Sequence, residues 1–284
     1  MSIVALSELQ KKARKGGYAI PHVLGSNIEM TIAAISAAEE SNSPIALGFA
    51  PEVFYMIPME YALPMIVGAA KRAKVPVAVQ LEHGADYETI AKAISLGMKS
   101  VMFDGSDLAF VEENIQKTKE IVKMAHAFGA DVEAELGCVG GSALSDVDKK
   151  ESLYTDPNLV LEFVDKTKID SLAVSFGNFH GKYNAEPKLN YALVEEIAKL
   201  TDIPLTMHGG SGLVYEQYSK SIDAGISNIH FYTNITLGLW EHLSKVAVRS
   251  NNKPVYHELC VASIEYFKKE VTNIIKMLYL REEV

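Results

Sequence analysis

Eight short runs rich in β-branched and apolar residues alternate with longer segments of helical periodicity along this chain. The runs predict strands at Ala19–Val23, Ile45–Phe49, Val75–Leu81, Ser100–Asp104, Asp131–Leu136, Ser171–Ser175, Leu205–His208 and Asn228–Tyr232. Strands that alternate with helices lie parallel, because each helical connection crosses over with a right-handed sense. Eight such units in 284 residues suit a closed (β/α)8 TIM barrel of the α/β class, and a doubly wound open sheet is the alternative.

The segments between the predicted strands carry apolar residues at helical spacing. They predict helices at Ile28–Ser41, Asp86–Leu96, Val111–Phe128, Asp156–Thr167, Tyr191–Leu200, Tyr215–Ala224 and Asn234–Val246. Asn27 is a plausible helix cap, and Asn252–Val284 predicts extra C-terminal helices. No linker divides the chain, so residues 1–284 are expected to form a single domain. The polar stretch Gly140–Ser152 interrupts the alternation after the fifth strand, as a lid over a barrel mouth does.

Composition narrows the class of protein further. Apolar residues make up 48% of the chain, enough for a large core, and the net charge of −9 argues against nucleic-acid binding because no basic stripe is present. Two cysteines make no disulfide framework, which favours a reducing compartment. No signal peptide is recognisable, and the longest apolar stretch, Tyr61–Ala70, is too short to span a membrane. We therefore expect a cytoplasmic protein that does not bind membranes.

Histidines stand at the predicted C-terminal ends of three different strands, where barrel enzymes keep their active sites. They are His83, His180 and His208, and a glycine follows each one. Three imidazole ligands with an open fourth position are typical of a catalytic zinc site. The alternative is that each is an ordinary hydrogen-bonded histidine at a strand end. The other four histidines outside the eighth strand, His22, His126, His242 and His257, have no such setting.

Further polar residues near these strand ends are weaker candidates. The run Gly209–Gly212 after the seventh strand, with Ser211 inside it, suits either a phosphate site or a tight turn. Asp104 and Glu135 are candidates to orient a ligand histidine, or else ordinary carboxylates at a polar barrel mouth. His230 lies on the eighth strand, which leads to Thr233.

Several sequence blocks resemble the class II fructose-bisphosphate and tagatose-bisphosphate aldolases. The likeness runs from about Tyr18 to Trp240, and its blocks are Val101–Ser106, Glu112–Ile115, Val132–Gly137, Tyr154–Pro157, His180–Gly181, Glu186–Leu189 and His208–Gly212. The chain is similar to a divergent member of this family.

The resemblance implies Zn²⁺ on His83, His180 and His208, with Glu135 as a ligand when the metal shifts. It implies cleavage of a ketose phosphate to dihydroxyacetone phosphate and an aldehyde, with zinc as a Lewis acid and a monovalent cation, Na⁺ or K⁺, assisting. It also implies a homodimer or homotetramer. Phosphate and substrate contacts are expected at Gly181, Lys182, Gly209, Gly210, Ser211 and Thr233.

Departures from the family pattern cluster around the expected substrate. Glu82 stands where the family has the aspartate that exchanges a proton with the C4 hydroxyl, so its carboxylate reaches one methylene further. His230 replaces an asparagine and adds a second acid or base, or a fourth zinc ligand. Other replaced positions are Leu24, Asn184 and Asn234.

The mobile loop of the family carries a glutamate that is absent here. The corresponding run is Ser142-Ala143-Leu144, and Asp146 or Asp148 is the nearest substitute. The three expected zinc ligands match the family pattern, whereas the positions expected to contact the substrate differ from it. The sequence therefore favours an aldolase with an altered substrate. A metal-dependent sugar-phosphate epimerase or isomerase is one alternative, and a non-catalytic binding or assembly subunit is another.

Overall fold

The computed structural model describes residues 2–51, 56–108, 110–141, 153–183, 185–249 and 253–284. Eight strands form the main sheet: β1 (Ile20–Leu24), β2 (Ile45–Phe49), β3 (Val77–Gly84), β4 (Ser100–Phe103), β5 (Asp131–Leu136), β7 (Ser171–Val174), β9 (Leu205–Met207) and β10 (Ile226–Phe231). Two further short strands, β6 (Gly140–Gly141) and β8 (Phe179–His180), pair with each other. All eight predicted strands are therefore present, with ends that differ by a few residues.

The eight strands close into a parallel barrel in the order β1-β10-β9-β7-β5-β4-β3-β2. β1 pairs with both β2 and β10, and its His22 lies opposite His230 in the register with β10. This closure confirms the (β/α)8 TIM barrel, and the open-sheet alternative is wrong because no edge strand remains.

Ten helices surround the barrel in the described part of the chain. They are α1 (Leu6–Gly16), α2 (Ile28–Glu40), α3 (Met59–Ala70), α4 (Tyr87–Ser95), α5 (Val111–Ala127), α6 (Pro157–Thr167), α7 (Tyr191–Leu200), α8 (Tyr215–Ala224), α9 (Thr233–Arg249) and α10 (Tyr256–Ile275). The predicted cap Asn27 is confirmed, because its side chain accepts a hydrogen bond from the Met30 amide at 2.9 Å. A π-helical turn, Lys276–Leu280, follows α10.

Two helices, α1 and α3, had no counterpart among the predicted helices. Helix α1 precedes the first strand and closes the N-terminal end of the barrel, where Leu6, Leu9 and Ala13 pack against the inward residues Ile20 and Ala78. Helix α3 carries Pro64 in its interior. A proline there removes one backbone hydrogen bond, so its sequence does not read as a regular helix.

The barrel interior changes character from one end to the other. Small and apolar residues fill the end that α1 covers, whereas polar side chains fill the end where the strands terminate. The buried polar group includes His22, Glu82, Glu133, Asn228 and His230. Buried polar groups require partners, and contacts of 2.9–3.1 Å join His230 to Asn228 and Glu82, and Glu133 to His208.

Among the described residues, no helix is both long enough and apolar enough to cross a bilayer.

Candidate active site

His83, His180 and His208 converge at the C-terminal end of the barrel. His83 lies in β3, His180 ends the short strand β8, and His208 directly follows β9. Their ring centroids are 4.9–5.6 Å apart, and one ring nitrogen from each lies within 4.8 Å of the other two. Strands distant in sequence thus bring together the three histidines predicted to bind the metal.

His83 is held in position by its backbone and by a carboxylate. Its φ of +47° lies in the left-handed region, which side chains rarely adopt and which is found at functional sites. Its Nδ1 lies 3.0 Å from Oδ2 of Asp104, while Oδ1 of Asp104 accepts hydrogen bonds from the backbone and hydroxyl of Ser106. Burial lowers the pKa of His83, but the hydrogen bond to Asp104 together with the charges of Asp104 and Glu82 outweighs it and leaves the pKa raised. Asp104 therefore has the orienting contact predicted for it.

His208 has an equivalent carboxylate partner in Glu133. Its Nε2 lies 3.1 Å from Oε1 of Glu133, and Oε2 of Glu133 accepts hydrogen bonds from the hydroxyls of Thr206 and Ser171. Burial raises the pKa of Glu133, but the contacts with His208 prevail and lower it to about 2. The pKa of His208 is raised, because Glu133 and other carboxylates outweigh the effect of burial. Glu133 lies within the predicted fifth strand, but no local sequence pattern indicates its contact with His208.

The ring of His180 bonds to the backbone, whereas the rings of His83 and His208 contact carboxylates. One ring nitrogen bonds to the backbone of Val139, and within the described ranges its buried Nε2 has no hydrogen-bond partner. Burial, followed by the neighbouring His83 and His208, lowers the pKa of His180 well below its usual value, so the ring is neutral. A neutral imidazole whose buried nitrogen lies near two other histidines, with no hydrogen-bond partner among the described residues, fits a zinc ion well.

Glu135, the predicted alternative metal ligand, is buried on β5. Its Oε1 accepts a hydrogen bond from the Val139 amide at 2.8 Å. It belongs to none of the clusters of described residues that bring three ligand atoms within 4.8 Å of one another. That Glu135 binds the metal when the metal shifts stays a prediction.

Glu82 and His230, the two predicted catalytic residues, are buried side by side. Oε2 of Glu82 lies 3.0 Å from Nδ1 of His230, and Oε1 lies 2.9 Å from Nε2 of His22. Burial raises the pKa of Glu82, but His230 and His22 prevail and bring it well below its usual value. Burial and the adjacent His208 and His22 lower the pKa of His230 to about 3. The site therefore holds a carboxylate anion between two imidazoles.

Sequence reasoning missed His22. It lies on the first barrel strand, without the glycine that follows each predicted metal ligand. Its side chain reaches Glu82 across β2 because Gly48 has no side chain there; a Cβ at position 48 would lie 2.6 Å from Nε2 of His22. His126, His242 and His257, which the sequence sets apart from the strand ends, lie on the surrounding helices α5, α9 and α10.

The glycine loop after β9 lies beside this cluster. Gly209 has a φ of +66°, and a Cβ there would collide with the backbone of Phe179, so only glycine fits. The amide of Gly210 donates to the carbonyl of His230 at 3.0 Å, which leaves it unavailable to a phosphate. The hydroxyl of Ser211 accepts from the Tyr232 amide and retains its own proton to donate.

The remaining predicted substrate residues surround the same mouth. Gly181 follows the metal candidate His180 directly and has a φ of +96°, and the side chain of Lys182 is exposed. Thr233 opens helix α9. Asn184, Ala143, Asp146 and Asp148 lie outside the described residues.

Comparison with known proteins agrees with this geometry. The family model for class II fructose-bisphosphate aldolase matches residues 4–282. This chain belongs to that family. It is 39% identical over 255 residues to the fructose-bisphosphate aldolase of Geobacillus stearothermophilus, covering 89% of this chain and 88% of that protein. It is 38% identical over 262 residues to the fructose-bisphosphate aldolase of Staphylococcus aureus strain Mu50, covering 90% of this chain and 89% of that protein.

Among solved structures, the YdjI aldolase of Escherichia coli K12 is similar to this class II aldolase. It has a TM-score of 0.83 at 33% identity and covers 97% of both chains. Membership of the family identifies the chain as an aldolase-type enzyme. It confirms the resemblance of the sequence blocks to the class II aldolases.

Proposed function

We propose that this class II aldolase is zinc-dependent and cleaves, or forms, a ketose phosphate other than fructose 1,6-bisphosphate. Dihydroxyacetone phosphate and an aldehyde would be the products of cleavage. The observation that carries the proposal is the convergence of His83, His180 and His208, with one nitrogen from each within 4.8 Å of the others. Zn²⁺ held there would supply a Lewis acid that polarises the substrate carbonyl.

The orienting contacts support a metal site over three unrelated histidines. Each ring has a further partner outside the three histidines: Asp104 for His83, Glu133 for His208 and the Val139 backbone for His180. Such outer partners fix the ring orientation and raise the basicity of the ligand nitrogen. Three imidazoles, each of which would bind the metal in its neutral form, suit zinc with an open position.

Glu82 is the residue that we propose to take up the proton from the substrate hydroxyl. It directly precedes His83, and its low pKa keeps it as the anion that can accept a proton. Cleavage between C3 and C4 would break the C–C bond, leave its electron pair on the dihydroxyacetone phosphate fragment and transfer the hydroxyl proton to Glu82. His230 would hold Glu82 in place through the 3.0 Å contact of its Nδ1.

The altered substrate is supported by replacements around the cluster. Glu82, which is one methylene longer than the family's aspartate, contacts His230, which replaces an asparagine. Together these two larger side chains occupy space beside the histidines that we propose to bind zinc. Ser211, Thr233 and Lys182, with the glycines at 181 and 209, are the groups that we propose to bind the phosphate. A monovalent cation and a homodimer or homotetramer complete the proposal.

The test is metal analysis of the purified protein together with an assay of dihydroxyacetone phosphate release from a panel of ketose 1-phosphates. We expect about one zinc per chain, chelator-sensitive release, and loss of both in His208→Ala. The control is His126→Ala, which removes an imidazole that is 42% exposed on a helix. Absence of metal would overturn the zinc site. Metal without release, but with exchange of solvent deuterium into the sugar, would favour an epimerase or isomerase.

A further inference from the structure

Asn228 lies beneath the catalytic cluster, on the same strand as His230, with its side chain fully buried. Its amide nitrogen, Nδ2, is 2.9 Å from Nε2 of His230 and 3.3 Å from Nδ1 of His22. An amide nitrogen has two hydrogens to donate and accepts no hydrogen bond. With Nδ2 facing the rings, the two imidazole nitrogens at these distances are acceptors without a proton.

This requirement fixes where each ring carries its proton. A neutral imidazole has one N–H, so His22 must carry it on Nε2 and His230 must carry it on Nδ1. These are the two nitrogens that face Glu82, at 2.9 Å from Oε1 and 3.0 Å from Oε2. The His230 contact is a hydrogen bond, and the His22 contact is a close polar contact between Nε2 and Oε1.

We propose that Asn228 is a positioning residue that locks His22 and His230 in opposite neutral tautomers, so that both direct an N–H at the Glu82 carboxylate. The inference rests on the proposed function, in which Glu82 accepts the substrate proton. The close stacking of the two rings, with centroids 3.7 Å apart, agrees with neutral imidazoles because two adjacent cations would repel each other. Gly48 completes the arrangement by leaving space for the carboxylate between β1 and β3.

A cation is the alternative occupant of this cluster, since ligand atoms of His22, Glu82 and His230 all lie within 4.8 Å of one another. A cation would need lone pairs on the two nitrogens that face Glu82. Each ring would then carry its proton on the nitrogen that faces Asn228, where N–H would meet N–H. With Nδ2 facing the rings, the amide of Asn228 therefore favours the hydrogen-bonded clamp over a second metal site.

The tautomers can be read directly from the wild-type protein. Long-range ¹H–¹⁵N correlation spectra of zinc-loaded, ¹⁵N-histidine-labelled enzyme distinguish a protonated Nδ1 from a protonated Nε2, and single-histidine variants assign the signals. We expect His22 with its proton on Nε2 and His230 with its proton on Nδ1. The opposite tautomer at either ring, or an imidazolium, would overturn the proposal. A second equivalent of metal that disappears in His22→Gln would also overturn it.

The variant that separates positioning from packing is Asn228→Asp. The aspartate has nearly the same shape, but it presents acceptors to both rings and so reverses their tautomers. We expect kcat to fall by about tenfold or more, the scale of a misplaced general base, while KM changes little. His22→Gln retains an N–H donor toward Glu82 and is expected to keep more kcat than His22→Leu. Wild-type kcat in Asn228→Asp, or equal losses in the two His22 variants, would contradict the clamp.

The two proposals fail in different ways. If the tautomers are as expected but no ketose phosphate is cleaved, the clamp stands and the proposed function fails. If cleavage is found with other tautomers, the aldolase stands and the role of Asn228 fails.

Discussion

Oε1 of Glu133 lies 3.1 Å from Nε2 of His208 and joins strand β5 to the end of strand β9 inside the barrel. The contact extends further down the barrel, because Oε2 of Glu133 accepts the hydroxyl of Thr206, which itself accepts a hydrogen bond from Gln10 on α1. A helix at the N-terminal end of the barrel is thereby connected to a candidate metal ligand at the other end. Such contacts orient a ligand ring before the metal binds.

Replacing Glu133 by glutamine tests this orienting role. The amide keeps the size and an acceptor oxygen, but it removes the negative charge that favours a basic ligand nitrogen on His208. We expect zinc affinity to weaken by about 10–100-fold, measured by competition with a chelating dye. Glu112→Gln is the matched control, since Glu112 is 60% exposed on the protein surface. Equal zinc affinities in the two variants would contradict the role of Glu133.

The barrel and the histidine triad could be predicted from the sequence because both follow from local patterns. The strands are short β-branched runs between helical segments, and a parallel barrel brings all its strand ends to one face. His83, His180 and His208 therefore had to lie near one another once the fold was assigned. Helix α1 could not be placed in the same way, because its role depends on packing against the barrel floor.

The contacts inside the barrel could not be predicted, because they depend on register and on the space between strands. Glu133 and Glu135 lie two residues apart on β5 and therefore share one face of the strand. Only the register with the neighbouring strands shows that Glu133 contacts Thr206, Ser171 and His208. His22 meets Glu82 only because Gly48 on the strand between them lacks a side chain. No spacing in the sequence carries that information.

Removal of the metal should destabilise the folded protein. Zinc that binds only the native state stabilises it by about 2.7 kcal/mol at a free concentration 100 times its dissociation constant. We expect the urea midpoint of the chelated protein to fall and to recover on addition of zinc. In His208→Ala the midpoint should be nearly the same with and without zinc. A large response of this variant to zinc would place the stabilising site elsewhere.

Asp131 at the start of β5 should make stability depend on pH. Its carboxylate accepts the Ser7 amide at 2.6 Å, and burial raises its pKa from 3.8 to about 6. The folded state therefore binds the proton more tightly than the unfolded state does. The stabilisation is fully present below pH 3.8 and is lost as the pH rises through about 6.

Asp131→Asn should remove this dependence, because the amide resembles the protonated acid and can still accept from Ser7. We expect the variant and the wild type to have similar free energies of unfolding near pH 4. Above about pH 6 the variant should be more stable by about 3 kcal/mol, the equivalent of the raised pKa. Urea unfolding at several pH values measures this difference, and Asp165→Asn on the surface is the control. A difference that does not change with pH would contradict the raised pKa.

Gly48→Ala tests whether the space on β2 is what admits the Glu82 carboxylate. The added methyl group would lie 2.6 Å from Nε2 of His22 and closer still to Oε1 of Glu82, so one of these groups must move. We expect a loss of about 1–3 kcal/mol in the free energy of unfolding, as for other overpacked cores, together with reduced kcat. The matched control is Gly68→Ala on helix α3, where the nearest atom to a new Cβ is Nη1 of Arg72 at 3.8 Å. That change should leave activity intact and stabilise the helix by about 0.5–1 kcal/mol. If Gly48→Ala behaved like Gly68→Ala, the contact between His22 and Glu82 would not depend on the missing side chain.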